Sequence, residues 1–290
     1  MTEIAAEQAS KFQQKAYRLL RKIHKDSYIY VGGLLVSIFI IIAILAPLLA
    51  PHDPDRIDPV NRLASVSTEG YPLGTDHLGR DLLSRLIYGS RITILAGAGA
   101  ALLAMILGVT VGIFAAMGSQ RVDNLVMRII DVLMAFPAIL LAILIVAFLG
   151  PGIRNAMLAV AIVNIPFYAR LTRSVTLSTK EKEYIEASQA LGNKKVMTII
   201  KHIIPNISPY IIVQTMMNIG WMITETASLS FLGLGAQPPA AEWGSMLGEA
   251  RSILTIAPWV VTFPGLCIFF TVLGFNLLGD GLRDRWDPKI

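Results

Sequence analysis

Polar side chains inside long apolar runs are the residues of this sequence whose chemistry most needs an explanation. Glu225 lies in an apolar run over residues 210–234 with Asn218 and Trp221, and Asn164 lies in another run. An ionisable group within a membrane span is costly, so it is first treated as a candidate functional site. A carboxylate near amides and an indole would suit the polar lining of a translocation path, where it could bind a substrate amine. The alternative is an interhelical hydrogen bond, or a glutamate close enough to the membrane surface to be hydrated.

Motifs for catalysis or energy coupling are missing from the sequence. It has no Gly-Lys dipeptide, and therefore no Walker A loop, and no H-E-x-x-H, C-x-x-C or G-x-S-x-G motif. The single cysteine, Cys267, lies in an apolar run and cannot form an intrachain disulfide. We predict no catalytic residue, no metal site and no cofactor bound by this chain, which disfavours a membrane enzyme. The histidines fall on both predicted sides of the membrane: His24, His52, His77 and His202.

The stretch over residues 184–209 is the longest polar segment between apolar runs that keeps helical spacing. Ser178 and Glu181 have the S-x-x-E spacing of a capping box, which predicts a helix that begins there and runs to about Leu191. Gly192 follows, and glycine tolerates the left-handed conformation that ends many helices. The sequence therefore predicts a short helix that stops at a glycine.

A second helix is predicted after this glycine. Its apolar residues are spaced i, i+3, i+4, i+7 and i+8, which is typical of one amphipathic face, and lysines lie on the other side. Pro205 and Pro209 predict the end of the polar section and the start of the next apolar run. The two helices would form a basic surface outside the membrane that suits docking to a partner. The apolar face consists of Val196, Ile199, Ile200, Ile203 and Ile204.

The composition requires an integral membrane protein. Of the 290 residues, 54% are hydrophobic and 16% are charged, whereas a soluble domain carries about a quarter charged residues. The apolar runs are long and lack strand-like alternation, so the predicted fold is all-α with six transmembrane helices. Gly108 and Gly112 form a GxxxG pattern, which predicts close packing of two helices. The spans cover roughly residues 28–49, 92–117, 129–149, 155–169, 210–234 and 258–278.

The distribution of positive charge predicts the orientation. With both termini inside the cell, 18 of the 25 lysines and arginines are cytoplasmic and 7 are outside. The net charge of +5 is thereby explained without nucleic acid as a partner. The predicted domains are a cytoplasmic tail (1–27), a first transmembrane helix (28–50), an extracytoplasmic loop (51–91), a five-helix core (92–280) that includes a cytoplasmic loop (170–206), and a cytoplasmic tail (281–290).

The polar stretch resembles a motif of a known family. It is similar in residue type and spacing to the loop E-A-A-x3-G-x9-I-x-L-P of ABC importer permeases. It departs mildly from that pattern at Ser188, His202 and Ile204. The matching residues are Glu186, Ala187, Gly192 and Pro205.

Longer segments resemble one branch of this family, the C-type permeases of dipeptide, oligopeptide, glutathione and nickel importers. The resemblance extends over nearly the whole chain from about residue 28, and several long motifs in the same order make chance similarity a poor explanation. The segments are residues 73–89, 127–142, 227–247 and 275–289.

The resemblance implies a fold, partners and a source of energy. The fold would be that of the type I ABC importer permeases. The chain would pair with a homologous B-type permease in the lipid of a prokaryotic cell membrane, with the pathway at their interface. Two ATPase subunits on the cytoplasmic face would bind ATP and Mg²⁺, and an extracytoplasmic binding protein would deliver the substrate.

The resemblance also implies roles for residues. The polar stretch would be the coupling helix that fits a cleft in one ATPase, with Ile185 and Leu191 as apolar contacts. The extracytoplasmic loops would contact the binding protein or shape the outer gate. The coupling set is Ile185, Glu186, Ala187, Leu191, Gly192 and Pro205, and the outer set is Asp76, Arg80, Asp81, Arg85, Gln237, Glu242 and Trp243.

The predicted function is the import of di- and oligopeptides, including glutathione-like peptides, as a permease driven by separate ATPases. Nickel or metal chelates are the alternative cargo, because the binding protein selects the substrate. A stand-alone secondary transporter would need its own ion or proton site and often shows inverted repeats. The sequence has one candidate acid and no visible repeat, which counts against that class.

Overall fold

The computed structural model describes residues 27–190 and 192–286, so most of the predicted N-terminal tail, Leu191 and the end of the C-terminal tail lie outside it. The predicted all-α class is confirmed. In chain order the helices are α1 Ser27–Ile44, α2 Ala46–Leu49, α3 Leu82–Met117, α4 Gln120–Met134, α5 Ala138–Leu149, α6 Ile153–Lys180, α7 Glu183–Ala190, α8 Lys195–Phe231, α9 Trp243–Ala250 and α10 Trp259–Trp286.

The described helices provide up to six membrane spans, in agreement with the prediction. Five are single helices, namely α1, α3, α6, α8 and α10, and α4 with α5 would make the sixth. The third predicted span is not straight, because α4 and α5 meet at 91°. Pro137 explains the break. It stands outside helical geometry before α5, with φ −57° and ψ 128°, and a proline also disfavours helix in the residue before it.

Helices α3 and α6 pack closely over two glycines. A Cβ atom at Gly108 would lie 2.4 Å from the Tyr168 Cβ atom, and one at Gly112 would lie 2.6 Å from the Ala169 carbonyl oxygen. These distances leave no room for a side chain, so the two backbones approach because both positions are glycine. The close packing predicted from the GxxxG pattern is confirmed.

The predicted capping box at Ser178 and Glu181 is wrong. α6 runs without a break to Lys180, and the Ser178 hydroxyl donates to the Val175 carbonyl oxygen one turn back. Glu181 is the C-cap of α6, and α7 begins at Glu183. A helix that is already formed adds residues at little cost, whereas a new one must be nucleated, so the long span continues past the local start signal.

The two prolines near the end of the polar stretch do not end a helix. α8 passes through Pro205 and Pro209 and contains a π-helical turn over Ile199–Ile203. Pro205 lies in the first turn after the π-helical turn, where a missing backbone N–H is tolerated. The second predicted helix and the fifth predicted span are therefore one continuous helix.

The bundle has two ends. At one, which we call the cap end, the segments 50–81 and 232–258 cover the helices, and the Gly152 amide donates to the Leu234 carbonyl oxygen at 3.0 Å. At the other, which we call the α7 end, the Lys180 ammonium donates to the Ala116 carbonyl oxygen at 3.2 Å, just before α7. The candidate coupling residues and the candidate outer residues thus lie at opposite ends of the bundle.

Candidate functional site

The two sides of α7 have different surroundings. Ile185 is fully buried in a cluster of isoleucines from α3 and α8, whereas Glu186 and Ala187 are exposed. The Ile185 side chain therefore anchors α7 to its own chain, and the predicted contact of Ile185 with an ATPase is contradicted by its burial. Glu186 and Ala187 remain accessible to a partner.

A glycine in the left-handed conformation ends α7. Gly192 has φ +83°, as the sequence predicted for a residue that follows a helix. The Asn193 side-chain amide donates to the Ser188 hydroxyl at 3.0 Å, and the Asn193 backbone amide donates to the Ser188 carbonyl oxygen at 3.3 Å. These bonds close the turn, and they explain why Ser188 is buried while Glu186 and Ala187 face solvent. Leu191 lies outside the described residues.

The apolar face predicted for the second helix is divided in two. Ile203 is fully buried, and it continues a stripe along α8 that packs under α7. Val196, Ile200 and Ile204 form a second stripe, which is 42% to 65% exposed. The predicted face is two stripes wide, and the core of this chain covers one of them. Pro205 is also exposed, next to the second stripe.

A cavity of about 870 Å³ opens beside the second half of α8. Trp221 and Glu225, two of the four residues predicted for a translocation path, line this cavity. Asn164 reaches Glu225 from α6, and its side-chain amide donates to Glu225 Oε2 at 2.8 Å and to the Val160 carbonyl oxygen at 2.8 Å. The interhelical hydrogen bond that the sequence left as an alternative therefore exists, and the same carboxylate faces the cavity. Most of the wall is apolar, with Ala138, Ile139, Ala227, Phe231, Leu232, Leu247 and Ile268.

Asn218, the fourth residue predicted for the path, bonds within its own helix. Its side-chain oxygen accepts a hydrogen bond from the Gln214 amide one turn earlier, at 3.3 Å. It is half-buried, and it is not among the residues that line the cavity. The structure thus brings together Asn164, Trp221 and Glu225, and it separates Asn218 from them.

A buried network of charges holds the cap end together. The Arg80 guanidinium donates to Asp76 at 2.6 Å and to Glu249 at 2.6 Å. Arg80 and Asp76 are nearly inaccessible to solvent. Arg85 is also buried, and it donates to the carbonyl oxygens of two prolines in the covering loops. Asp81 caps α3 by accepting from the Ser84 amide at 2.9 Å. These side chains join loop to helix, so in this structure they do not offer the contact surface for a binding protein that the sequence suggested.

Trp243 and Glu242 tie the covering segment to α3. The Trp243 indole N–H donates to the Leu86 carbonyl oxygen at 3.0 Å. Glu242 caps α9 and accepts from the Thr93 hydroxyl at 3.1 Å. Burial raises the pKa of the Glu242 carboxyl above its ordinary value, and hydrogen bonds from backbone amides oppose the shift. Gln237 differs from these residues because it is exposed, so it stays a candidate for contact with a partner.

Two groups of interacting residues, one at the cap end and one at the α7 end, were not predicted from the sequence. Asp76, His77 and Glu249 bring possible metal-ligand atoms within 4.8 Å of one another. Arg80 already donates to both carboxylates of that group, so a guanidinium holds the position that a cation would take. Glu249 had given no signal, because it is separated from Arg80 by 169 residues.

The other missed group joins α4 to α6. Arg173 donates to both carboxylate oxygens of Asp123, at 2.5 and 2.6 Å, and Asp123 is buried. One helical turn before Arg173 on α6, Arg170 pairs with Asp131 of α4. Two arginines of α6, the helix that leads into α7, thus form ion pairs with α4.

Comparison with known proteins identifies the family. The family described as "Binding-protein-dependent transport system inner membrane component" matches residues 108–290. The family described as "N-terminal TM domain of oligopeptide transport permease C" matches residues 18–65. The chain belongs to the binding-protein-dependent permeases. It is a multi-pass inner-membrane component of an ABC transporter that works with separate ATPase and binding-protein components, and membership excludes the stand-alone secondary transporter.

Curated relatives match almost the whole chain. The dipeptide transport system permease protein DppC of Alkalihalophilus pseudofirmus is 46% identical over 270 residues, which cover 93% of this chain and 88% of the relative. The glutathione transport system permease protein GsiD of Pectobacterium atrosepticum is 47% identical over 270 residues, which cover 93% of this chain and 90% of the relative.

Solved structures share the fold. An inward-facing structure of the MetNI methionine ABC transporter matches with a TM-score of 0.60 and 18% identity, over 70% of this chain and 97% of the other. A structure of an amino acid ABC transporter with histidines matches with a TM-score of 0.53 and 18% identity, over 70% of this chain and 94% of the other. These likenesses confirm the predicted permease fold.

Proposed function

We propose that this permease imports short peptides. The observation that carries the proposal is the 46% and 47% identity to permeases named for dipeptide and glutathione transport, each over 93% of the chain. The cavity beside α8 supports it, since about 870 Å³ with mostly apolar walls would accommodate a small peptide. The pathway would run past Trp221 and Glu225, with Asn164 behind them.

The second half of the pathway would come from a homologous B-type permease. The open side of the cavity would face this partner. Both termini would be cytoplasmic, which places the α7 end inside the cell and the cap end outside. ATP and Mg²⁺ would bind to the ATPases, with no cofactor on this chain, and the binding protein would dock at the cap end near Gln237.

The α7 end would couple the permease to an ATPase. Glu186 and Ala187 are exposed on a short helix, and the buried Ile185 links that helix to α3 and α8. A force applied to α7 would therefore reach the core directly. Gly192, whose backbone is left-handed with φ +83°, would set the angle between α7 and α8. Pro205, which is exposed farther along α8, would lie at the edge of the same contact.

The test replaces Gly192 by valine and measures uptake of a labelled dipeptide by the assembled importer. A β-branched residue in this backbone conformation costs about 1–3 kcal/mol, so the turn should rearrange and uptake should fall at least about tenfold. Glu186→Lys should have the same effect by changing the contact surface. Gly70→Val is the matched control, because Gly70 has φ +81° and an equally open surrounding at the cap end. Normal dipeptide uptake by Gly192→Val at wild-type abundance would refute the coupling role.

A further inference from the structure

We propose that Glu225, positioned by Asn164, is a subsite that binds the ammonium group of the transported substrate. The proposal deepens the proposed peptide pathway and rests on it for the identity of the substrate. The chemistry that the site would recognise is a primary ammonium group carried by a small molecule with apolar side chains.

The charge of the cavity wall points to a cation. Glu225 is the one ionisable residue among the described residues that line the cavity. The hydroxyls of Thr224 and Ser228 donate back to carbonyl oxygens of their own helix, at 3.1 and 2.7 Å, so their protons are already used. An ammonium group that enters an apolar cavity loses its hydration, and a carboxylate offsets that cost.

Asn164 fixes the carboxylate. Its side-chain amide has two N–H donors, and it has two acceptors, Glu225 Oε2 and the Val160 carbonyl oxygen. The bond to Glu225 crosses from α6 to α8, so the orientation of the carboxylate depends on both helices. Asn164 acts through Glu225 and is a positioning residue.

Trp221 supplies the second part of a cation site. It lies four residues before Glu225 on α8, which places both side chains on one face of the helix. Its side chain is 61% exposed and lines the cavity. The face of an indole attracts ammonium groups, so a carboxylate and an indole on one wall form a combination that favours a cation over an anion.

The first experiment measures the electrostatic field of the cavity without any peptide. Ser228→Cys in a Cys267→Ala background places one thiol on the wall of the assembled importer. The probes are a cationic trimethylammonium-ethyl and an anionic sulfonato-ethyl methanethiosulfonate, whose rate ratio reports local charge. With Glu225 present the cationic probe should react faster, and Glu225→Gln should lower the ratio roughly three- to tenfold. Glu69→Gln, the same change on an exposed loop residue, should leave the ratio unchanged.

The second experiment measures uptake of dialanine with the binding protein held constant. Glu225→Gln and Asn164→Ala should each reduce uptake at least about threefold, and Glu69→Gln should not. An unchanged rate ratio in Glu225→Gln, or a thiol introduced by Ser228→Cys that neither probe modifies, overturns the subsite. A changed ratio with unchanged dialanine uptake overturns the assignment to a substrate ammonium. If Glu225→Gln lowers the rate ratio of the two probes but the wild-type importer takes up no peptide, the proposed peptide pathway is wrong and the cation subsite stands.

Discussion

Gly112 shows how a single residue sets the distance between two spans. A Cβ atom there would lie 2.6 Å from the Ala169 carbonyl oxygen and 2.7 Å from the Thr172 Cβ atom, so the neighbour in the way is largely backbone. Backbone cannot move aside as a flexible side chain can. The close approach of α3 and α6 therefore depends on the absence of a side chain at this position.

Replacing Gly112 by valine should destabilise the protein. Overpacking of a tight core costs about 1–3 kcal/mol, and here α3 and α6 would have to separate along their length. The measurement is the thermal unfolding midpoint of the detergent-purified protein, which we expect to fall. Gly33→Ala is the control, since its Cβ atom would meet the Leu278 side chain at an ordinary 3.8 Å. Equal midpoints for Gly112→Val and the wild type would contradict this account of the helix pair.

At the scale of elements, α4 is the unusual piece. It stands at 91° to α5, and its contacts with α6 include the Arg173–Asp123 and Arg170–Asp131 pairs. α6 leads directly to α7, and α5 begins at the wall of the cavity with Ala138. The arginines of α6 therefore connect the end proposed for coupling to the wall of the proposed path.

Charge reversal tests this connection. Arg173→Asp alone places two carboxylates together in a partly buried site. We expect the free energy of unfolding to fall by up to about 3 kcal/mol, and uptake of the labelled dipeptide to fall as well. The double variant Asp123→Arg with Arg173→Asp restores an opposite pair and should recover much of both. Arg121→Asp, on an exposed part of α4, is the control for a change of net charge. If the double variant is as impaired as the single one, the ion pair does not link the two helices.

At the scale of the whole molecule, the fold separates an end with exposed candidate coupling residues from an end covered by a folded cap. The positive charges of the sequence predict that the α7 end is cytoplasmic. Val60 is 92% exposed in the cap, and Val196 is 65% exposed beside α7. These two positions report which end faces which compartment.

Cysteine labelling should give opposite results at the two positions. In a Cys267→Ala background, Val60→Cys should react with a membrane-impermeant maleimide in intact cells, or in spheroplasts if an outer membrane is present. Val196→Cys should react only after the membrane is permeabilised. The Cys267→Ala protein itself is the control for background labelling. The reverse pattern would place the α7 end outside and would contradict the coupling proposal as well.

The features that were predicted correctly from the sequence are those that depend on residues close together in the chain. The six apolar runs, the close packing at Gly108 and Gly112, and the left-handed Gly192 each follow from residue types over a few turns. The errors also have a physical cause. Ser178 and Pro205 carry local start and stop signals, but both lie in long helices whose tertiary packing outweighs them.

By itself, the sequence determined the all-α membrane fold, the apolar runs that provide the spans, and the family, because hydropathy and motif order are written along the chain. The tertiary structure alone decided which polar groups meet. Asn164 and Glu225 are separated by 61 residues, and Asp123 and Arg173 by 50. A span that is apolar on all sides carries little information about which face meets which neighbour, so packing makes that choice. Glu225 was visible in the sequence as a costly carboxylate, but its partner and its cavity exist only in the folded bundle.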